Sequence, residues 1–225
     1  SSSKCTKCED GYEPSEDGTE CKKKGCPDKT VEIEAGGKKL CVTQYNMGDD
    51  AAFPLTGVKV VSANGHSCTN SDGNCCWKGN TTETGSCNTS NGGYSGCNRT
   101  VCSQRAASIV CANLKYDDRI WRLPTKADLA SFASYSINKG VSGLMLCDKK
   151  SNYGSAWCEA HTNNCGSDPV EGTSECHAYY IWSSTAKGNA GYYYGYYLFK
   201  GSYYETNSKY NYYAESVRCV SELDN

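Results

Sequence analysis

The sequence predicts an α+β fold with long, disulfide-stapled loops, and three observations carry that expectation. Strand-like patterns lie toward both ends of the chain, from Thr30 to Tyr45 and from Ala178 to Val220. Two stretches with helical apolar spacing lie between them, around Ala106–Leu114 and Pro124–Ile137. Seventeen cysteines are spread through 225 residues whose mean hydropathy is −0.65, so bridges supplement a limited core.

Thiols at this density are a hazard in a reducing cytosol, which places the protein in an oxidising, extracellular or cell-surface compartment. A net charge of −2 leaves no basic footprint for nucleic acid. No apolar run approaches the roughly 18 residues that span a bilayer. The opening Ser-Ser-Ser-Lys-Cys is not a signal peptide, so a processed or truncated product is expected, anchored to a cell surface or filament through a segment upstream of residue 1. Seventeen is odd: one cysteine is free, paired between chains, or parted from an upstream partner.

Residues 1–26 form a Cys-rich appendage and residues 27–225 the main domain. Cys5-x2-Cys8-x2-Gly11-Tyr12 followed by Cys21 resembles the C-terminal half of an epidermal-growth-factor-like module. That resemblance implies a Cys8–Cys21 bridge; a pinned, Lys/Glu-rich linker is the plainer alternative. Thr30-Val-Glu-Ile-Glu alternates as a strand, Ala35-Gly36-Gly37 supplies a turn, and Lys39 to Tyr45 reads as the returning strand. Residues 62–100 are almost free of aliphatics and carry Cys68, Cys75, Cys76, Cys87 and Cys97, which argues for a stapled loop.

Ala106, Ile109, Val110 and Leu114 give the first helix its apolar face. Pro124, Thr125 as N-cap and Asp128 three residues on mark the start of a second helix in the manner of a capping box. Leu129, Phe132 and Ile137 give that helix its stripe. Cys147, Cys158, Cys165 and Cys176 punctuate another loop-like stretch from residue 139. Strands are expected over 178–184, 192–200 and 215–220.

The C-terminal region holds the most unusual composition. Ten of the eighteen tyrosines fall between Tyr192 and Tyr213, and 19 of the 28 residues from Ala186 to Tyr213 are Tyr, Asn, Ser or Gly. Tyr offers a large, stiff, amphipathic contact, and Ser, Gly and Asn offer adaptable polar ones, which is the composition of a binding loop. An aromatic ladder on an ordinary antiparallel sheet is the plainer alternative. The candidate ligand-binding residues are Asn189, Tyr192, Tyr193, Tyr194, Tyr196, Tyr197, Tyr203, Tyr204, Asn207, Tyr210, Asn211, Tyr212 and Tyr213. Strand alternation puts Gly195, Tyr197 and Phe199 on one face and Tyr194, Tyr196, Leu198 and Lys200 on the other. Burying both Leu198 and Phe199 while exposing the tyrosines then requires a twist or a bulge.

Three strings in order frame this region: Trp121-Arg-Leu-Pro-Thr-Lys-Ala-Asp-Leu129, Trp182-Ser-Ser-Thr185 and Val217-Arg-Cys-Val220. Together they resemble the C-type-lectin-like domains of bacterial surface proteins, a group related in fold to the formylglycine-generating enzyme. The resemblance covers about residues 28–222. It implies two helices packed on a small, irregular antiparallel sheet, with Trp121 and Trp182 in the core, Ser183 and Ser184 bracing backbone, and Arg218 as a paired charge. Within that group, residues 186–213 resemble the variable region of a diversity-generating retroelement target. Adenine mutagenesis of Asn codons (AAY) leaves Tyr, Ser, Asp and Gly, the kind of residues crowded here. The implied function is recognition of varied macromolecular ligands, protein or glycan, by a bacterial surface receptor; a fixed adhesin or glycan-binding module is the alternative.

Catalysis is not expected. The Gly-Gly-Ser-[Trp/Phe] string that precedes the copper-dependent cysteine site of the formylglycine-generating relatives is replaced here by Ile181-Trp-Ser-Ser, and three histidines supply few general bases. Cys158-x2-His161-x3-Cys165 with Cys176-His177 could be drawn as a zinc site but reads better as bridges. Asn70-x-Asp72-x-Asn74 lacks the closing Glu of a calcium loop, and Asp49-Asp50 reads as surface. No metal or cofactor is expected. Asn80, Asn88 and Asn98 open glycosylation sequons that are silent in most bacteria. If the scaffold is an oxidised one, mass spectrometry without reduction finds no more than about three free thiols; a mostly reduced protein, or one with stoichiometric zinc, overturns it.

Overall fold

A computed structural model describes residues 7–9, 11–15, 17–23, 25–62, 74–78, 100–132, 136–137, 144–145, 180–188, 191–199, 202–205, 209–210 and 214–223. They form a mixed α+β fold of small, mainly antiparallel sheets with two helices. Among them no helix is long and apolar enough to cross a membrane.

Strands β1 (Tyr12–Pro14) and β2 (Cys21–Lys23) make a short hairpin, and Cys8 is bridged to Cys21 beside it. The Asp17 carboxylate closes the turn by accepting from the Thr19 N–H at 3.0 Å and the Ser15 hydroxyl at 2.7 Å, and these bonds hold its pKa down at about 2. The Cys26–Cys41 bridge and a bond from Arg119 Nη2 to Gly25 O at 2.6 Å tie residues 25 and 26 to the rest of the chain, and Tyr116 Oη donates to Asp28 O at 2.6 Å just beyond them.

The expected hairpin is present as β3 (Thr30–Ala35) and β4 (Lys38–Thr43), paired from Thr30↔Thr43 to Ala35↔Lys38. Its two-residue turn needs positive φ at both positions. Gly36 (60°) and Gly37 (78°) supply that conformation without a Cβ penalty. β15 (Val220–Glu222) adds on the other side of β4. A second sheet runs β14 (Ala214–Glu215), β7 (Val101–Ser103), β6 (Cys75–Lys78), β5 (Lys59–Ser62), with β5 parallel to β6. A third is built from β10 (Tyr180–Ala186), β11 (Tyr192–Phe199), β12 (Ser202–Glu205) and β13 (Lys209–Tyr210). Two short strands, β8 (Ser136–Ile137) and β9 (Leu144–Met145), pair in parallel.

Helix α1 (Gln104–Ala112) starts at Ser103, whose hydroxyl accepts from the Ala106 N–H. Its buried face carries Ala106, Ala107, Val110 and Cys111, while Ile109 is only partly covered. The capping box of α2 (Lys126–Leu129) forms as expected, with Thr125 and Asp128 bonded reciprocally. The helix itself stops after one turn. Phe132 is still buried, but Ile137 belongs to β8. The Ser131-Phe-Ala-Ser-Tyr-Ser136 run is rich in Ser and aromatics, which favour a helix less than Ala or Leu.

The C-terminal strand expected over 215–220 is two short strands joined by an extended link, and every residue from Glu215 to Ser221 is buried. This segment touches each layer in turn. Ser216 O accepts from the Trp182 N–H at 3.2 Å, Val217 O from the Met47 N–H at 2.9 Å, and Val220 exchanges two bonds of 2.8 Å with Arg122. Arg218 Nε donates to Asn46 Oδ1 at 2.7 Å, and its Nη1 to the carbonyls of Thr43 and Gln44. Neutral oxygens are thus among the acceptors of its guanidinium. Cys219 is bridged to Cys111 of α1 across 108 residues.

All nine described cysteines are disulfide-bonded: four described bridges account for eight, and Cys75 is bonded as well. Trp121 and Trp182 lie in the core beside Phe53, Val110 and Leu123. Asp49, read as surface, is buried at the 47–49 turn.

Replacing Arg218 with Met removes charge-assisted bonds of about 1.5–3 kcal/mol each, so at least about 3 kcal/mol of unfolding free energy is lost. Ile120→Ala, at a side chain 91% exposed, changes stability by less than about 0.5 kcal/mol. Urea unfolding of the two variants checks this; equal midpoints would show that the Arg218 clasp carries no stability.

Candidate ligand-binding face

The Tyr-rich segment folds as β11 to β13, with β11 in the centre of its sheet. β10 lies on one side, pairing Tyr180↔Tyr197, Ile181↔Tyr196 and Trp182↔Gly195. β12 and β13 share the other side end to end, with Tyr197↔Tyr204, Leu198↔Tyr203 and Tyr192↔Tyr210. The tyrosines are thus cross-strand neighbours.

The β10 flank of β11 is irregular at Tyr194. Between Trp182↔Gly195 and Ala186↔Tyr193, β10 has three residues, Ser183, Ser184 and Thr185, against Tyr194 alone. This irregularity lies in β10; the side chains of Leu198 and Phe199, for which a twist or bulge was expected, lie outside the described residues. Such bulges re-aim side chains and recur beside functional sites.

The β10 bulge is tied to α2. The Ser184 N–H and hydroxyl both donate to Pro124 O, at 2.8 and 3.3 Å, and the Lys126 N–H donates to Thr185 Oγ1 at 2.9 Å. Ser183 is fully buried; its hydroxyl accepts from the Thr185 N–H at 3.1 Å and its carbonyl from Gln104 Nε2 at 3.2 Å. Ser183 and Ser184 thus brace backbone as the resemblance implied. This zipper sets Lys126 Nζ 4.1 Å from the centre of the Tyr194 ring, and Lys187 Nζ lies 5.4 Å from the same centre. A cation over an exposed ring contributes about 0.5–1 kcal/mol. Lys187 opens the turn into β11, its N–H donating to Tyr192 O at 2.9 Å.

The candidate residues do not share one environment. Tyr192, Tyr193 and Tyr194 are half-buried, and Tyr193 packs against the main core beside Trp182. Tyr196, expected to reach a ligand, is 1% exposed and lies opposite buried Ile181. With Trp182 and Gly195 buried on the other face, that part of the sheet is covered on both sides, which removes Tyr196 from the accessible surface. Tyr197, Tyr203, Tyr204 and Tyr210 are placed in strands by their backbones. Asn189, Asn207, Asn211, Tyr212 and Tyr213 lie outside the described residues, as do the histidines and most of the loop cysteines. The approach of Lys126 to this sheet was not foreseen because it sits in a framework string 66 positions before Tyr192.

Under this face an ion-pair network anchors α2. Arg122 holds Asp128 at 2.7 Å and Glu222 at 3.1 Å, and Lys38 reaches Glu222 at 3.3 Å. Burial opposes ionisation of Asp128, but the Arg122 guanidinium and the Thr125 N–H and hydroxyl outweigh it and keep the pKa below 3.8. Arg122 and Lys38 likewise hold Glu222 below 4.5. Among the described residues no group of three His, Cys, Asp or Glu side chains is gathered to hold a metal ion. No protein-family model, no curated protein and no solved structure matches the chain.

Two outcomes follow from this geometry. Tyr196→Ala costs about as much as Trp182→Ala, roughly 3–5 kcal/mol, whereas Tyr192→Ser and Tyr194→Ser each cost about 1 kcal/mol or less. Melting temperatures check the order, and a Tyr194 variant as unstable as the Tyr196 variant would make Tyr194 core. Carboxylates with depressed folded pKa values stabilise the fold above their unfolded values and lose that contribution as pH falls through the folded ones. Stability therefore declines as pH falls below these groups' ordinary values, 4.5 for Glu222 and 3.8 for Asp128. In Asp128→Asn/Glu222→Gln that decline is shallower; an unchanged acid limb rules the network out.

Proposed function

We propose that this chain is a C-type-lectin-like recognition module of a bacterial surface protein, and that the sheet from β10 to β13 is its ligand-binding face. The observation that carries the reading is the contrast along one strand. Tyr192, Tyr193 and Tyr194 are half-exposed on a strand whose middle, at Gly195 and Tyr196, is buried. A rigid base under accessible aromatics fits a surface that keeps its shape while its contact residues change. The order of the three framework strings, the clasp of Cys219 to α1 and the pairing of β15 with β4 support the lectin-like topology. The chemistry is binding of a macromolecular ligand without catalysis, outside the cytosol.

On this reading residues 186–213 are diversified by a retroelement acting on adenines. Sequencing the gene from independent isolates tests it without any ligand. Substitutions concentrated at codons reachable from AAY within 186–213, over a constant 121–129, 182–185 and 217–220, are expected. An adenine-rich near-repeat beside a reverse-transcriptase gene is expected too. An invariant window with neither would leave a fixed adhesin or glycan-binding module.

A further inference from the structure

The Tyr-rich sheet carries a row of three tyrosines. Tyr197 of β11 pairs with Tyr180 of β10 on one side and with Tyr204 of β12 on the other. Directly opposite residues of antiparallel strands bring their Cβ atoms to about 4.5–5.5 Å, within reach of an aromatic neighbour. Tyr203, one residue before Tyr204, is opposite Leu198 instead.

The same sheet is a part of the chain that disulfides leave alone. No cysteine lies between Cys176 and Cys219, so β10 to β13 can root no bridge, whereas β4, β6 and β7 are each stapled. Every described cysteine is already oxidised, so among the described residues no thiol is left to repair a phenoxyl radical. Where thiols are oxidised to this extent, opposed phenols are the groups that oxidation can still join in this sheet.

From this register and this composition we propose that the Tyr180–Tyr197–Tyr204 row is a site of oxidative tyrosine cross-linking, served by hydrogen peroxide and a peroxidase. Each of two phenols gives up one electron and its hydroxyl proton. The two radicals couple through ring carbons ortho to oxygen and form one C–C bond. The displaced ring hydrogens return to the oxygens as the biphenol regains aromaticity, so the protein loses two hydrogens in all. The two electrons and two protons, with two further protons from the two phenols' exchange with solvent balanced by that return, reduce one peroxide to two waters. Tyr197, with a tyrosine on each side, is the common partner. The product ties β11 to β10 or β12 by a bond that thiol reductants do not break. This chemistry needs only the register, whether or not residues 186–213 vary between isolates.

The test treats the intact protein, kept dilute, with a plant peroxidase and equimolar hydrogen peroxide, followed by reduction, alkylation and trypsin. Cleavage at Lys187, Lys200 and Lys209 puts Tyr180, Tyr197 and Tyr204 on three different peptides. A monomeric product with dityrosine fluorescence is expected, its residues 188–200 joined to the peptide of Tyr180 or of Tyr204. Tyr197→Phe loses both joins, Tyr204→Phe loses the join to residues 201–209, and Tyr203→Phe keeps it. Circular dichroism before oxidation checks that each variant is folded. The unsubstituted protein oxidised in urea, where register is gone, supplies a second measurement: the preference for Tyr204 over Tyr203 disappears. Absence of dityrosine, links only between molecules, joins confined to other tyrosines, equal loss in Tyr203→Phe and Tyr204→Phe, or an unchanged preference in urea overturns the site.

Discussion

The fold hangs on the seven consecutive buried residues from Glu215 to Ser221. Few stretches of a protein this polar can be wholly interior, because every backbone group must then find a partner. Here the partners come from every layer: Cys102 of β7, Trp182 of β10, Met47, Thr43, Cys41 and Val42 around β4, Arg122 before α2, and Cys111 of α1. Arg218 is the costliest member to bury. Its guanidinium is accommodated because Asn46 and two carbonyls in the 43–47 turn aim oxygens at it. The bridge from Cys219 to α1 restricts the unfolded chain over 108 residues, a loop for which the chain-entropy account gives about 4.7 kcal/mol.

The same segment explains how an aromatic-rich strand coexists with a firm core. β10 is held to Ser216 and Cys102 on its inner side and to Pro124 and Lys126 on its outer side. β11 inherits a fixed neighbour before any of its own side chains are considered. Gly195 and Tyr196 are buried while Tyr192, Tyr193 and Tyr194 are only partly so. Neighbouring residues of one strand thus differ sharply in what they contribute to the interior.

The parts of this arrangement written in local chemistry were legible in the sequence. The Gly36-Gly37 turn, the Thr125–Asp128 capping box and the core placement of Trp121 and Trp182 follow from backbone conformation, capping and apolar burial. The Cys8–Cys21 bridge came from a resemblance, and the structure has it. What was not legible depends on tertiary register. Alternation assigns Tyr196 to the face of Tyr194, but it does not say that part of that face is covered. The approach of Lys126 to Tyr194 goes with how β10 docks on Pro124 and α2, which no spacing in either string encodes. The second helix was overextended because buried Leu129 and Phe132 mimic a stripe that the chain abandons after one turn.

The order of these pieces along the chain has a genetic consequence. The residues that complete the core lie downstream of the Tyr-rich stretch, so a ribosome finishes that stretch before it makes Glu215 to Ser221. A frameshift or premature stop anywhere from codon 186 to codon 213 deletes or scrambles Arg218 and Cys219. It leaves Cys111 without its mate and Asn46 without its donor. Only messages that are read in frame to the end give a molecule that closes. Closure of the fold thus depends on the reading frame being kept through the Tyr-rich stretch.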